Sequence, residues 1–160
     1  MPSIQIPDDS PATLLFPQFE SELYKGAASE VERLNDEQLD FESDRWDWSK
    51  WSIRRQLSHM ASGNFRWFWA RWGLQMFPNG APVDAPDLEE TQALTNSKYD
   101  RRMDEDLYWE VNVLLDKLGQ GIGIGQSILS TETVGAMRTK EFEFDDDGEW
   151  PWFYNIHGPG

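Results

Sequence analysis

The chain has 160 residues, among them nine tryptophans, nine phenylalanines and no cysteine. That is enough for one domain burying roughly 70% of its unfolded surface. The missing thiols exclude disulfides, thiolate zinc sites, iron-sulfur clusters and a cysteine nucleophile. Acidic side chains outnumber basic ones 29 to 14, for a formal charge of -15, so the chain as a whole repels nucleic-acid phosphates and anionic lipid. No window approaches the roughly 18 apolar residues of a membrane span, and the first ten residues lack a basic run before an apolar one. A soluble, cytoplasmic protein with neither nucleic acid nor membrane as partner is the expectation.

Residues 1–15 form a polar, proline-punctuated lead-in. Pro17 suits the first turn of a helix, and Phe16, Phe19, Leu23, Ala27, Val31 and Leu34 follow at spacings of three and four, which predicts an amphipathic helix over Pro17 to Leu34. Asn35 and Gln38 stand where a capping box places its partners, so Asn35 to Leu39 reads as a short capped turn. A polar, acidic connection leads to Trp46, Trp48 and Trp51. Ser52 is a good N-cap, and Leu57, Met60, Ala61, Phe65, Phe68 and Trp72 keep a helical period from Ile53 to Phe77 until Pro78 to Pro86 interrupts it.

Asp87 with Glu90 predicts one further capped turn. Tyr99, Met103, Leu107, Val111, Leu114 and Leu118 then form a stripe that predicts a third helix over Ser97 to Leu118, ended by the loop-like series Gly119, Gly121, Gly123 and Gly125. Residues 119–160 read as irregular: Lys140 to Phe144 alternates too briefly for a firm strand, and only Trp150 to His157 is strongly apolar again. The three helices each carry one apolar face, so they are expected to pack antiparallel as an all-α, up-down bundle.

Several motifs fail. The glycine series follows a helix and lacks the dinucleotide spacing. In Asp145-Asp146-Asp147-Gly148 the glycine comes too early for a calcium loop, and the twelfth position is Ile156, which has no carboxylate. One feature stands against the total charge: between Arg45 and Trp72 there are six basic residues (Arg45, Lys50, Arg54, Arg55, Arg66, Arg71) and one acid, Asp47. At roughly 100° per residue, Arg55, His59, Ser62 and Arg66 share one stripe beside the apolar face. Such a stripe suits an anion or a metal, or else is a polar face whose arginines pair with neighbouring acids. The tryptophans serve equally as core volume or as a ligand-stacking surface.

The segment from Leu34 to about Trp69, with its Leu34-Asn35-Asp36-Glu37-Gln38-Leu39 turn, Trp51-Ser52-Ile53 and His59-Met60-Ala61, resembles the DinB-like superfamily. The resemblance implies a four-helix bundle across residues 1–160, with the fourth helix incomplete or lying past Gly160. It also implies a divalent metal, zinc or nickel, held by His59 as first ligand together with later histidines. His157 falls in the region of those later ligands, although the third has no counterpart here. The implied activity is that of a metal-dependent hydrolase or of a transferase using a low-molecular-weight thiol on a small-molecule substrate; a homodimer is compatible with it. Independently of the family, the stripe offers Arg55 and Arg66 as substrate-binding residues for the carboxylates of such a thiol. The alternative is a metal-free helical module binding a small molecule in a tryptophan-lined cleft.

Overall fold

In the computed structural model, which describes residues 6–19, 21–80 and 84–139, every extended element is helical. Short 3-10 turns at Ala12–Leu15 and Pro17–Phe19 lead into α1 (Ser21–Val31). The predicted capping box at α2 (Asp36–Leu39) is formed: the Gln38 N–H donates to Asn35 Oδ1 at 2.9 Å and the Asn35 N–H to Gln38 Oε1 at 3.1 Å. Ser52 caps α3 (Ile53–Asn64) by accepting the Arg55 N–H. That helix continues without interruption through a π-helical stretch, Phe65–Gly73, into α4 (Leu74–Met76), so the predicted span Ile53 to Phe77 holds. Asp87 caps α5 (Leu88–Thr95) as expected. α6 spans Val111–Ser130 and α7 Val134–Thr139.

The widened π turns bring Phe65, Phe68, Trp69 and Trp72 onto the buried side. Trp69 and Trp72 are thereby core residues rather than cleft walls. The Trp69 indole N–H donates to the Pro86 carbonyl at 3.1 Å and to Thr91 Oγ1 at 3.2 Å, which satisfies its polar edge where water cannot reach. The ring so fixed leaves no room at residue 73, where a Cβ would lie 2.3 Å from Trp69 Cε3. Gly73 is required by packing.

Three expectations need correction. Residues 97–110 are not helical: this stretch is a chain of turns, in which Met103 is fully buried and Leu107 is exposed. Its anchors are polar, since Ser58 Oγ accepts the Met103 N–H at 3.1 Å and Ser97 Oγ donates to the Arg102 carbonyl at 2.8 Å. Second, the glycines at 119 to 125 lie inside α6 rather than in a loop, and helix α7 follows, so 119–139 is largely regular. A Cβ at Gly121 would come 3.0 Å from Asn64 Cβ, and one at Gly125 would come 3.2 Å from both Phe19 and Phe68. The glycines therefore permit close approach, and burial of Leu114, Leu118, Ile124 and Ile128 offsets the roughly 1 kcal/mol helix penalty of each.

The third correction concerns direction. Arg54 meets Trp109, Asn64 meets Gly121 and Phe68 meets Gly125, so α3 and α6 run parallel. Tyr24 meets Leu115 and Phe19 meets Gly125, so α1 is antiparallel to α6. The cause is the connection between them. α5 returns along the π segment, Arg66 contacting Thr95, and the following turns continue past His59 at Arg101 and Ser58 at Met103. This crossover brings the chain back to the start of α3 before α6 begins. The all-α class stands, but the two long helices are not an up-down pair. At the other end Ala12 and Val134 exchange backbone hydrogen bonds with Glu132 and Ser10, clamping α7 to the N-terminal segment.

Candidate functional site

His59 sits half-buried on α3 under the turn that precedes Met103. Its Nδ1 lies 2.8 Å from the Arg101 carbonyl oxygen, and the Trp51 ring packs edge-on with centroids 5.1 Å apart. Trp51 is in turn flanked by two guanidinium groups, those of Arg101 at 5.4 Å and Arg102 at 5.1 Å from its centroid. Trp51 also precedes the Ser52 cap, so the local fold that starts α3 also places the aromatic wall. A carbonyl oxygen only accepts hydrogen bonds, so a hydrogen bond at this contact requires the proton on Nδ1.

The two arginines of the stripe are engaged. Arg55 pairs with Glu42, and its Nε lies 3.4 Å from Glu105; Glu105 also meets Arg102 Nε at 3.1 Å. Arg66 Nη2 donates to the Thr95 carbonyl at 2.5 Å, the end of α5. Ser62 is buried, and its hydroxyl has no hydrogen-bond partner among the described residues. The stripe is thus the seam that receives residues 95–105. Arg55, His59 and Arg66 are brought to one side of α3, each already holding part of the crossover.

The remaining basic residues of the 45–72 segment have partners too. The Arg45 guanidinium stacks 4.2 Å from the Trp46 ring centroid and that of Arg71 4.6 Å from Trp67, while Lys50 pairs with Asp47 at 2.7 Å. Arg54 is the most committed. Its side chain is 4% exposed, Nε donates to Asp40 Oδ1 at 2.7 Å, Nη2 to Asp36 Oδ1 at 2.8 Å and Nη1 to the Trp109 carbonyl at 3.1 Å. The hydrogen bond to Asp40 leads the causes that raise its pKa above the ordinary arginine value. Of these charges, those of Arg54 and Arg55 are neutralised by acids outside the 45–72 segment, Asp36, Asp40, Glu42 and Glu105.

His157 lies outside the described residues, as do Lys140 to Phe144, the Asp145 turn and the aromatic run from Trp150. Among the described residues no group of three or more His, Cys, Asp or Glu side chains is arranged to hold a metal ion. A zinc or nickel site with an open position needs about three protein ligands; the described residues supply one imidazole. The donors among the described residues do not by themselves amount to a metal site.

Among the described residues, two cavities lie away from His59. One, of about 420 Å³, is lined by Thr13, Phe16, Phe19, Gln126, Ser127, Leu129 and Ser130; the other, of about 470 Å³, is lined by Asn35, Glu37, Gln38 and Phe41. Neither of these two is lined by a tryptophan. The first is of ligand size, with the stacked Phe16 and Phe19 rings, 5.5 Å apart, as its apolar wall. Sequence periodicity gave no signal for it, because its polar lining comes from the outer side of α6 within the stretch read as irregular.

Among the described residues no helix is long and apolar enough to cross a membrane. Comparison with protein-family models, with curated proteins and with solved structures gave no match.

Proposed function

We propose that the chain is a DinB-like helical domain acting on a small molecule in the cytoplasm, as a divalent-metal-dependent hydrolase or a thiol-dependent transferase, with His59 as its first functional group. The single observation that supports this reading is the Nδ1 contact of His59 with a backbone carbonyl. Metal-ligating histidines characteristically donate their second ring nitrogen in this way, which fixes the ring and raises the basicity of the ligating nitrogen. The family resemblance supplies His157 as a further ligand and zinc or nickel as the metal. The test is elemental analysis after dialysis, comparing the full chain with its His59→Ala variant. Metal lost with His59 supports the proposal, and equal metal in both removes His59 from the site.

A second reading, a metal-free module for small molecules, is favoured by the engagement of Arg55 and Arg66 with Glu42, Glu105 and Thr95 and by the cavity beside Phe16 and Phe19. Arginines so occupied take a thiol's carboxylates only by exchanging partners. Calorimetric titration of acidic thiols into wild type and an Arg55→Ala, Arg66→Ala double variant separates the readings: binding lost in the variant favours the transferase, and equal binding or none favours the module.

A further inference from the structure

We infer that the backbone carbonyl of Arg101 is a positioning group that sets the tautomer of His59, placing the ring proton on Nδ1 and leaving Nε2 as the acceptor. The inference deepens the proposed function, since it matters to chemistry only where His59 is the functional group. It is measurable without that function.

Arg101 has φ 53°, and no other non-glycine residue among those described has positive φ. Arginine has no side-chain device that favours the left-handed region, where a Cβ crowds the following carbonyl. The surrounding chain must therefore hold it there. Anchors stand on both sides: the Tyr99 N–H donates to Ser97 Oγ at 3.1 Å, the Ser97 hydroxyl donates to the Arg102 carbonyl at 2.8 Å, and the Met103 N–H donates to Ser58 Oγ at 3.1 Å with its side chain fully buried. Between these points the chain turns its 101 carbonyl to His59 Nδ1 at 2.8 Å. With the proton on Nε2 instead, two lone pairs would face each other across that distance and leave a carbonyl unsatisfied. The edge contact with Trp51 holds the ring from a second side and opposes a flip that would put Cδ2 in the place of Nδ1.

The consequence is a single presented atom. Nε2 accepts from a hydrogen-bond donor or binds a divalent cation through its lone pair, and it does so without first paying for a tautomer change. The side chain of Arg101 bears on this only through its stacking on Trp51, 5.4 Å from that ring's centroid. It is exposed and reaches Asp100 at 3.3 Å.

Long-range proton-nitrogen correlation spectra of the full chain, with ring-15N histidine and at about pH 8, well above the ordinary imidazole pKa of about 6.5, test the assignment. A His157→Gln variant identifies the His59 signals. The expected result is the Nδ1–H form in roughly tenfold excess, unchanged in Arg101→Gly, which accommodates positive φ, and lost to an averaged pattern in Arg101→Val, which resists it. A wild-type ring protonated mainly on Nε2, or an Arg101→Gly spectrum that has averaged, overturns the inference whether or not Arg101→Val folds. A folded Arg101→Val that keeps the wild-type pattern overturns it as well. Metal and thiol measurements play no part in these spectra, so failure of the proposed function leaves them readable.

Discussion

The guanidinium of Arg54 donates to the main-chain carbonyl of Trp109 at 3.1 Å and lies 5.1 Å from the centroid of that residue's indole ring. One buried cation thus joins the first turn of α3 to the residue two positions before α6, and so fixes the start of the parallel pair. Asp36 and Asp40 hold the other side of the same group. α2, whose capping box is local, is tied to the bundle through them.

Arg54→Ala is expected to destabilise the fold by about 2–4 kcal/mol, through loss of several charge-assisted hydrogen bonds and of packing on Trp109. Both acids keep access to water, Asp36 being 90% and Asp40 43% exposed, which keeps the loss below that of stranding two buried charges. Arg54→Lys should recover less than half, because an ammonium cannot fork to two carboxylates and a carbonyl. Urea unfolding of the three proteins checks this; a lysine variant as stable as wild type would show that charge alone matters here.

The glycines of α6 should respond oppositely to alanine. At Gly123 a Cβ meets nothing within 4 Å, so Gly123→Ala should stabilise by about 0.5–1 kcal/mol through helix propensity. At Gly125 the new methyl meets Phe19 and Phe68 at 3.2 Å, and Gly125→Ala should destabilise by about 1–3 kcal/mol. Thermal denaturation reads both. Equal shifts in the same direction would mean that α6 does not pack against α3 as described.

These glycines also show where the sequence is legible and where it is not. The caps at Asn35, Ser52 and Asp87 are local, formed by side chains within three residues of their partners, and the spacing reveals them. Close approach of Gly121 and Gly125 to α3 depends on residues more than 50 positions away, and no local pattern distinguishes it from a loop. The part of the predicted helix over residues 97–110 that proves to be turns has the same origin, since the Met103 N–H is held by Ser58 of α3 and its side chain is buried without a helical turn of its own. At the candidate site, the stripe Arg55, His59 and Arg66 was visible as a helical face. That residues 95–105 cover it, and that Arg101 adopts positive φ, has no signature in an arginine among charged neighbours.

Acid titration should single out Asp106. Lys98 Nζ at 2.5 Å, and then the Tyr99 hydroxyl at 3.0 Å, hydrogen-bond its carboxylate and hold its pKa below the ordinary aspartate value. A carboxyl lowered on folding contributes stability above its unfolded pKa of about 3.9 and loses it as pH falls through the folded value. The group is exposed, so the contribution is small and salt-sensitive. Carboxyl-carbon NMR should place the Asp106 midpoint below about 3.9 and move it up in Lys98→Ala. A midpoint unchanged by that substitution would break the assignment.

The central claim, that His59 presents an acceptor nitrogen to a small molecule or metal, is tested most directly by titrating cobalt(II) into 15N-labelled protein and mapping the paramagnetic broadening. With a formal charge of -15, scattered binding to surface carboxylates is the natural competitor. Broadening that begins at low cobalt around His59, Trp51 and Arg101, and disappears from that region in His59→Ala, is the predicted result. Broadening spread over acidic segments such as Asp36 to Glu42, with the His59 ring unaffected and the variant indistinguishable from wild type, would contradict it.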